Sequence, residues 1–436
     1  MNQKMIALLL AALLVLSGCS GTKLVPGETA ETETRETLSA PETDAPDKDE
    51  QSDLIPAITH PLTRAEVEAI PVATADMTEE ELRQICIDYM ALQTSVVWTP
   101  DQSLFYDYPS SYSADDEGML HLEKGKRYGG VPYTQAAIGL EAFLDLYDEE
   151  SGVLALSEAK NIHQKVGNNC GTAVFWAWQR VSSTISYYGT RQMCLAHGCI
   201  PVGEWTYDQS LTDFYTYTTR QVCEDNGADV MMRSYACLKP GDGMTMTVKV
   251  KSGVKGHARM VKEVSVSYTT DGSVDPEKSF VICLEQSSKG PDRQTEDGVV
   301  LGIGSENKYS FKDLYDKGYL PVTVAELIGA APVKEASVSL PEVTSLKELS
   351  EATLTGAYCI SRVDVTVVDQ NGKEAFSACK VGSCKPEDQY SFSMSKVLPA
   401  ATMSRNLKKG ESYRVTVTAR LGNGETLTAL TQDLSY

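Results

Sequence analysis

The sequence has few positive charges and few histidines. Lys and Arg number 39 against 60 Asp and Glu, and only 5 histidines occur in 436 residues. A formal net charge of -21 repels a phosphate backbone, and no basic stripe offsets it, so we expect no nucleic-acid partner. The 11 cysteines include no Cys-x-x-Cys pair and no Cys/His cluster with zinc spacing. We therefore expect no metal site.

Aromatic residues are missing from the N-terminal part of the chain. No Phe, Trp or Tyr precedes Tyr89, and residues 20–60 are rich in Glu, Thr, Pro, Asp and Ser. Such a segment buries too little apolar surface to offset its ordering entropy. We predict that residues 19–62 form an acidic disordered tether, which charge repulsion keeps extended.

The first residues have the pattern of an export signal. Lys4 precedes a short apolar run, residues 5–16, which cannot span a bilayer as a helix, and Gly18-Cys19 follow. Small residues before a Cys resemble the lipobox of bacterial lipoproteins. This resemblance implies removal of residues 1–18, acylation of Cys19 and a lipid anchor that holds the protein to the membrane at the bacterial cell surface. An ordinary secretory signal is the alternative.

The chain is long enough for two folded units. Apolar residues at helical spacing predict helices after Thr78, within 135–160, from Cys170 and over 212–226. Alternating residues predict strands at 244–251, 258–267 and 278–286. Helices followed by strands, without βαβ alternation, predict an α+β domain with an antiparallel sheet over residues 63–334.

After about residue 335 the pattern is that of strands alone. Alternation over 363–368 ends in Asn371-Gly372, a strong hairpin signal, and the runs 391–394 and 413–420 also alternate. No helical pattern occurs there. We predict that residues 335–436 form a small all-β domain, an immunoglobulin-like sandwich, with no catalytic constellation.

One cysteine lies at the start of a predicted helix. Gly167-Asn168-Asn169-Cys170 precede an apolar run. The N–H groups and dipole at a helix N-terminus stabilise a thiolate over a thiol, and they can also stabilise an oxyanion. A cysteine taken by itself is more often buried or disulfide-bonded.

The remaining cysteines leave the disulfide pairing open. The short spacings within Cys194/Cys199 and Cys379/Cys384 favour two local disulfides.

Two predicted strands supply partners for Cys170. His257 and Arg259 point to one face of the first strand. The second ends in Glu285 and Gln286, which point to opposite faces, so only one of them can orient the His257 ring. We expect Glu285, because a carboxylate also stabilises an imidazolium, and Gln286 stays the alternative orienting residue and a candidate substrate or oxyanion contact.

These segments together resemble the NlpC-type cell-wall peptidases of the papain-like superfamily. The match covers roughly residues 80–330 and rests on Gly-x-x-Cys-Gly at the helix start, Leu-Lys-Pro-Gly-Asp before the strands, and Gly-His-Ala-x-x-Val. It implies a papain-like domain in which Cys170 is the nucleophile and His257 its base. The family's Tyr-x-Gly-x-Pro-Tyr segment maps onto residues 128–133, so Tyr128 maps onto the active-site tyrosine, with Tyr133 as the alternative.

The resemblance implies a cysteine peptidase that hydrolyses amide bonds in peptidoglycan stem peptides without a cofactor. The chain departs from the family at the nucleophile, where Asp-Cys-Ser is replaced by Asn169-Cys170-Gly171, and at Gly243, where a hydrophobic residue is usual. Many relatives also have a His as the third residue.

Two other functions stay open: an inactive surface lipoprotein that binds wall peptide or glycan, and a transglutaminase-like acyl transferase. The second lacks a clear His-x-Trp strand.

Overall fold

The structure is a computed structural model that describes residues 62–106, 120–156, 166–187, 198–208, 217–250, 253–287, 293–294, 298–301, 304–385 and 388–436. These residues form a mixed α+β structure with several antiparallel sheets, as predicted. The predicted signal peptide, Cys19 and nearly all of the predicted tether lie outside the described residues. Within the described ranges, no helix is long and apolar enough to cross a membrane.

The α-helices of the described residues are short apart from the second. They are α1 (Arg64–Glu68), α2 (Glu79–Ser95), α3 (Leu140–Leu146), α4 (Cys170–Trp178), α5 (Thr219–Asn226), α6 (Ala228–Ala236), α7 (Phe311–Lys317), α8 (Leu346–Glu351) and α9 (Ala400–Asn406). Single 3-10 turns lie at Ala325–Ile328 and Met394–Lys396.

The strands of the first half are β1 (Val97–Pro100), β2 (Leu104–Tyr106), β3 (Leu120–Leu122), β4 (Tyr128–Gly129), β5 (Tyr147–Asp148), β6 (Val153–Leu154), β7 (Cys199–Pro201), β8 (Gly243–Val250), β9 (Gly253–Ser265), β10 (Phe280–Gln286), β11 (Arg293–Gln294), β12 (Val300–Leu301), β13 (Gly304–Ser310) and β14 (Leu320–Val324). Those of the second half are β15 (Val338–Ser339), β16 (Thr353–Gly356), β17 (Ile360–Val368), β18 (Glu374–Val381), β19 (Ser391–Ser393), β20 (Ser412–Leu421) and β21 (Thr426–Ser435).

The central sheet has the strand order β13-β10-β9-β8-β14-β7, and every neighbouring pair is antiparallel. Helix α4 packs against helix α2 and against strand β9. A smaller sheet of short strands, in the order β11-β12-β4-β1-β6-β5, lies in the same compact unit. The predicted strands of the first domain are confirmed, with ends shifted by up to five residues.

Helix α4 forms the interior of this half. All nine of its residues are buried, which follows from an apolar sequence with no solvent-facing side. The Trp178 indole N–H donates to the backbone oxygen of Gly241 at 2.9 Å. A Cβ atom on Gly243 would lie 2.5 Å from Trp178 Cη2, so the indole occupies the space that a side chain at position 243 would need. A larger residue at position 243 would therefore collide with Trp178.

The predicted helix starts are confirmed for α2 and α4. Thr78 caps α2 in a capping box with Glu81, and Asn169 caps α4. The helix expected over 212–226 begins only at Thr219, because Thr218 has an extended backbone and caps the helix, so the predicted start is wrong and the predicted end at Asn226 is confirmed. Residues 211–216 lie outside the described part.

The C-terminal region holds a four-stranded antiparallel sheet, β18-β17-β20-β21, and a three-stranded one, β15-β16-β19. The hairpin predicted at Asn371-Gly372 is confirmed, and Gly372 has a φ of 79°. The expectation of strands alone is wrong, because α8 and α9 lie in this region. Both are less than two turns long, which is too short for a helical pattern to stand out from the surrounding residues.

Apolar side chains of the described residues form two main clusters. One lies among residues 62–333, and the other begins at Val343. Cys359 and Cys384 come from the C-terminal region, yet they pack into the first cluster. The predicted domain boundary at residue 334 stays a prediction.

The structure contradicts a disulfide between Cys379 and Cys384. Both are thiols: Cys379 is exposed on β18, opposite Asp364, whereas Cys384 lies beyond the strand end and is buried. The backbone N–H of Cys384 donates to Ala137 at 3.0 Å, which turns this cysteine into the core. Cys194, the predicted partner of Cys199, lies outside the described residues.

Candidate active site

Cys170 is the first residue of α4 and is 3% exposed. Its position is fixed by the preceding residue. Asn169 Oδ1 accepts a hydrogen bond from the Thr172 N–H at 2.9 Å, and Thr172 Oγ1 accepts one from the Asn169 N–H at 2.8 Å. This reciprocal cap orders the first turn, so the thiol has a defined direction.

Three groups surround the Cys170 sulfur. The Tyr133 hydroxyl lies 3.7 Å from Sγ, and the His257 side chain and the Ala258 backbone N–H also bond to the thiolate. Burial by itself raises the pKa of a thiol, but the His257 charge and these hydrogen bonds outweigh it and lower the pKa of Cys170 to about 7. The arrangement favours the nucleophilic form of the sulfur.

His257 lies on β9, opposite Met246 of β8, and its side chain is 19% exposed. Burial lowers the pKa of an imidazole, but the Cys170 thiolate and the Glu285 carboxylate together raise the pKa of His257 to about 9. Nε2 lies 2.6 Å from Glu285 Oε2. The other ring nitrogen, Nδ1, is thereby left for the Cys170 thiol, so the ring is held between sulfur and carboxylate.

Glu285 lies on β10 and is 4% exposed. Its Oε2 accepts from His257 and, at 2.8 Å, from Arg259 Nε, while Oε1 accepts from Asn307 Nδ2 and the Tyr309 hydroxyl. Burial would raise the pKa of this carboxyl, but the Arg259 charge and these donors hold it well below its usual range. Glu285 is therefore ionised wherever the protein is folded near neutral pH.

Arg259 supports this carboxylate from a buried position. Its guanidinium carbon lies 3.6 Å from the ring centroid of Tyr309 and 4.3 Å from that of Tyr319, and the residue is 7% exposed. Stacking on two rings fixes the guanidinium and partly replaces its hydration.

Sequence reasoning places Arg259 on the face of His257 but assigns it no role. The two-residue period of the strand was the signal that could have identified it.

Asn307 and Tyr309 were missed entirely. They lie on β13 at alternate positions near Ser305, the register partner of Glu285. The alternation is visible in the sequence, but the pairing of β13 with β10 is not, so no signal linked them to Glu285.

The structure brings together Cys170, His257 and Glu285, and it adds Tyr133 rather than Tyr128. The Tyr128 hydroxyl accepts a hydrogen bond from the Glu123 N–H at 2.8 Å. The Tyr128 ring is buried, with its centroid 5.3 Å from that of Trp98.

Gln286 lies on the face of β10 opposite to Glu285, as its position in the strand predicts. Its Nε2 donates to the backbone oxygen of Val131 at 2.7 Å, and its side chain is fully buried. Gln286 therefore supports the segment before Tyr133, and Glu285 is the residue that contacts His257.

Among the described residues, no group of three or more His, Cys, Asp or Glu side chains could hold a metal ion. The chain matches no protein-family model, and no curated protein matches it. The case for a function therefore rests on the geometry around Cys170 and on the motif residues.

Proposed function

We propose that this protein is a cysteine peptidase that hydrolyses amide bonds, with Cys170 as nucleophile and His257 as acid and base. The observation that carries this proposal is the continuous row of contacts from the Cys170 sulfur through the His257 ring to the Glu285 carboxylate. A cysteine with a purely structural role needs neither an imidazole nor a carboxylate behind it. Nucleophile, base and orienting group in contact are the arrangement that covalent catalysis requires.

The fold that we propose for residues 63–334 is papain-like. The support is that a cysteine begins a buried helix, α4, which packs on an antiparallel sheet whose strands β9 and β10 carry the histidine and its orienting residue. We propose an immunoglobulin-like arrangement for the two sheets of the C-terminal region, on the basis of its antiparallel strands.

In the proposed reaction, the Cys170 thiolate attacks the carbonyl carbon of an amide, and the C=O π electrons move to oxygen. Backbone N–H groups at the start of α4 and the Tyr133 hydroxyl stabilise this oxyanion. The imidazolium of His257 then gives its Nδ1 proton to the leaving nitrogen as the C–N bond breaks, which leaves a thioester on Cys170.

The second half of the reaction reverses these roles. Neutral His257 takes a proton from water, the hydroxide oxygen bonds to the thioester carbon, and the C–S bond breaks. The products are a carboxylic acid, an amine and the regenerated thiolate–imidazolium pair. Glu285 keeps its negative charge throughout and stabilises the imidazolium form of His257.

The substrate class that we propose is the stem peptide of peptidoglycan. Its support is the resemblance of the motifs around Cys170 and His257 to the cell-wall peptidases. The lipobox-like sequence at Cys19 further supports this class, because it favours an exported protein that is anchored to the membrane and faces the cell wall.

A direct test is incubation of the full chain with muropeptides, followed by mass spectrometry of the products. We expect a new amine terminus, with the mass of one water added across the cleaved bond. Cys170→Ala should abolish the product, and Cys237→Ala is the matched control, because Cys237 is exposed and lies outside the proposed site. A product that persists in Cys170→Ala would overturn the proposal.

A transglutaminase-like acyl transferase is the second candidate, because a Cys–His pair with an acidic third residue also serves that chemistry. The two reactions share the thioester and differ in the nucleophile that resolves it. Incorporation of a labelled primary amine into a glutamine peptide, without hydrolysis of muropeptides, would favour the transferase.

A further inference from the structure

We propose that the C-terminal region, residues 335–436, positions the proposed nucleophile, and that Tyr187 and Gln389 are the residues through which it does so. This inference rests on the proposed role of Cys170. According to this inference, contacts made by the C-terminal region keep the Cys170 thiol reactive, whether or not that region also binds a ligand.

The first contact is at the cap of α4. Asn169 Oδ1 accepts from the Thr172 N–H and, at 3.2 Å, from the Tyr187 hydroxyl, while its Nδ2 donates to Gln135 Oε1 at 3.1 Å. Because a backbone N–H can only donate, the atom facing Thr172 must be the amide oxygen, and the orientation of the amide is fixed. Tyr187 therefore holds the side chain that sets the start of α4, next to Cys170.

The second contact attaches Tyr187 to the C-terminal region. Gln389 Oε1 accepts from the Tyr187 backbone N–H at 2.9 Å, and Gln389 Nε2 donates to the Tyr187 backbone oxygen. Gln389 is 3% exposed. One side-chain amide thus satisfies both backbone groups of Tyr187, as a neighbouring strand would, in a place where water cannot replace it.

The C-terminal region also holds the other end of α4. Gln179, which ends the helix, accepts from the Cys359 N–H at 2.8 Å and donates to the Tyr390 hydroxyl at 2.9 Å. The same hydroxyl donates to the backbone oxygen of Ile185. These contacts act on the end of α4 that is remote from Cys170, so they attach the helix to the C-terminal region without touching the cap at Asn169.

The segment that carries Tyr133 is also attached to the C-terminal region. Ala137 has a φ of 58°, and its backbone oxygen accepts from the Cys384 N–H at 3.0 Å. A left-handed backbone costs an alanine about 1–2 kcal/mol, so it persists only where neighbouring contacts impose it. Ala137 follows closely on Tyr133 and Gln135, so this contact fixes the segment that brings the Tyr133 hydroxyl to the thiol.

The consequence concerns the pKa of Cys170. Its thiolate is stabilised by short contacts to His257, Ala258 and Tyr133, and these weaken if the first turn of α4 or the Tyr133 segment shifts. Loosening the cap is therefore expected to raise the thiol pKa and to slow reaction at neutral pH, while α4 stays folded in the core.

The test is the rate of alkylation of Cys170 by iodoacetamide as a function of pH, followed on its own peptide by mass spectrometry in the full chain. Tyr187→Phe removes only the hydroxyl that bonds Asn169. We expect it to slow labelling at pH 7 by roughly two- to tenfold, the range for loss of one buried hydrogen bond, and to raise the pH midpoint.

Tyr390→Phe is the matched control. It removes a hydroxyl from the same interface, but one that bonds Ile185 and Gln179 rather than the cap. We expect it to lower the melting temperature and to leave the midpoint of Cys170 unchanged. Gln389→Leu, which removes both bonds to the Tyr187 backbone at similar volume, should raise the midpoint as Tyr187→Phe does.

The outcomes separate this inference from the proposed function. If His257→Ala raises the midpoint but Tyr187→Phe leaves it at the wild-type value, the positioning role is wrong and the peptidase proposal stands. If Tyr187→Phe raises the pH midpoint of Cys170 alkylation but Gln389→Leu does not, the C-terminal region does not position the nucleophile. A midpoint that His257→Ala does not move would instead overturn the proposed function itself.

Discussion

The Oε2 atom of Glu285 lies 2.6 Å from Nε2 of His257, so a carboxylate on one strand holds the imidazole of its neighbour. Cys170 on the near side and Arg259 on the far side extend the contact into a row of four. Their charges alternate in sign and sum to zero when the thiolate and the imidazolium are both present. A neutral row of alternating charges is the form in which ionised groups are least costly to bury.

The reactivity of Cys170 should follow the pH dependence of an ion pair. The pKa of Cys170 is lowered to about 7 and that of His257 is raised to about 9, so between these values both groups are charged. Below about pH 7 the sulfur gains a proton and its alkylation rate should fall. In His257→Ala, burial acts on the thiol without the opposing charge, so the midpoint should move to higher pH.

The measurement is the rate of labelling of the Cys170 peptide by iodoacetamide between pH 5 and 10, by mass spectrometry. The peptide that carries the exposed Cys237 is the reference thiol in the same digest. Identical profiles for Cys170 in the wild type and in His257→Ala would contradict an ion pair.

Glu285→Gln should destabilise the fold, and by an amount that depends on pH. The substitution leaves Arg259 buried without its counter-ion, which costs about 3 kcal/mol at pH 7. The pKa of Glu285 is lower in the folded protein than the ordinary value of 4.5, so its stabilising contribution is complete above that value and is lost as the pH falls below it. The difference in free energy of unfolding between wild type and Glu285→Gln should therefore become smaller as the pH falls from 5 to 3.5.

Urea unfolding of both proteins at pH 7, 5 and 3.5 gives these differences. Glu224→Gln is a suitable control, because Glu224 is half-exposed in a one-turn pair with Arg220, and such pairs contribute about 0.5 kcal/mol or less. A difference for Glu285→Gln that stays constant over the three pH values would show that the charge of Glu285 is not what stabilises the fold.

Tyr133 should matter more for reactivity than Tyr128. Tyr133→Phe removes a hydroxyl that lies 3.7 Å from the Cys170 sulfur, whereas Tyr128→Phe removes one that bonds the Glu123 backbone. We expect Tyr133→Phe to slow peptide cleavage about tenfold or more, in kcat rather than KM, since its hydroxyl is proposed to stabilise the oxyanion. Steady-state kinetics of the two variants give the comparison. A larger loss of kcat in Tyr128→Phe than in Tyr133→Phe would show that Tyr128, and not Tyr133, stabilises the oxyanion.

Gly243→Ala should strain the core through Trp178. The added methyl group would lie 2.5 Å from the indole, and overpacking of this kind costs about 1–3 kcal/mol. Trp178→Phe vacates the same space and should cost a similar amount alone. In thermal and urea unfolding, the double variant should lose less free energy of unfolding than the two single variants lose together. If the two losses simply add, the residues do not compete for the same space.

Local signals in the sequence were sufficient for the two elements that carry the proposed nucleophile and base. Asn169 before an apolar run identifies the start of α4, and alternation around His257 identifies β9. The two-residue period of β10 places Glu285 and Gln286 on opposite faces, and the charge of a carboxylate favours Glu285 as the partner of His257. These features depend only on neighbouring residues, so a single sequence contains them.

The contacts that needed long-range pairing could not be predicted. Asn307 reaches Glu285 only because β13 pairs with β10, and Tyr187 reaches Asn169 only after the chain has passed along α4 and turned back. The short helices α8 and α9 were missed because fewer than two turns leave no recognisable period. For Asn307 and Tyr187 the missing information is tertiary, whereas for α8 and α9 the local signal is too short.

The fit of Trp178 against Gly243 sets a condition on exchanging parts with the cell-wall peptidases that the motifs resemble. A chimaera that takes its Pro-Gly-Asp turn from an enzyme with a bulky residue in the next position would bring that residue into the indole ring. Such a chimaera should fold only if Trp178 is replaced by a smaller residue at the same time. Positions 178 and 243 must therefore be exchanged together, although they lie in different elements.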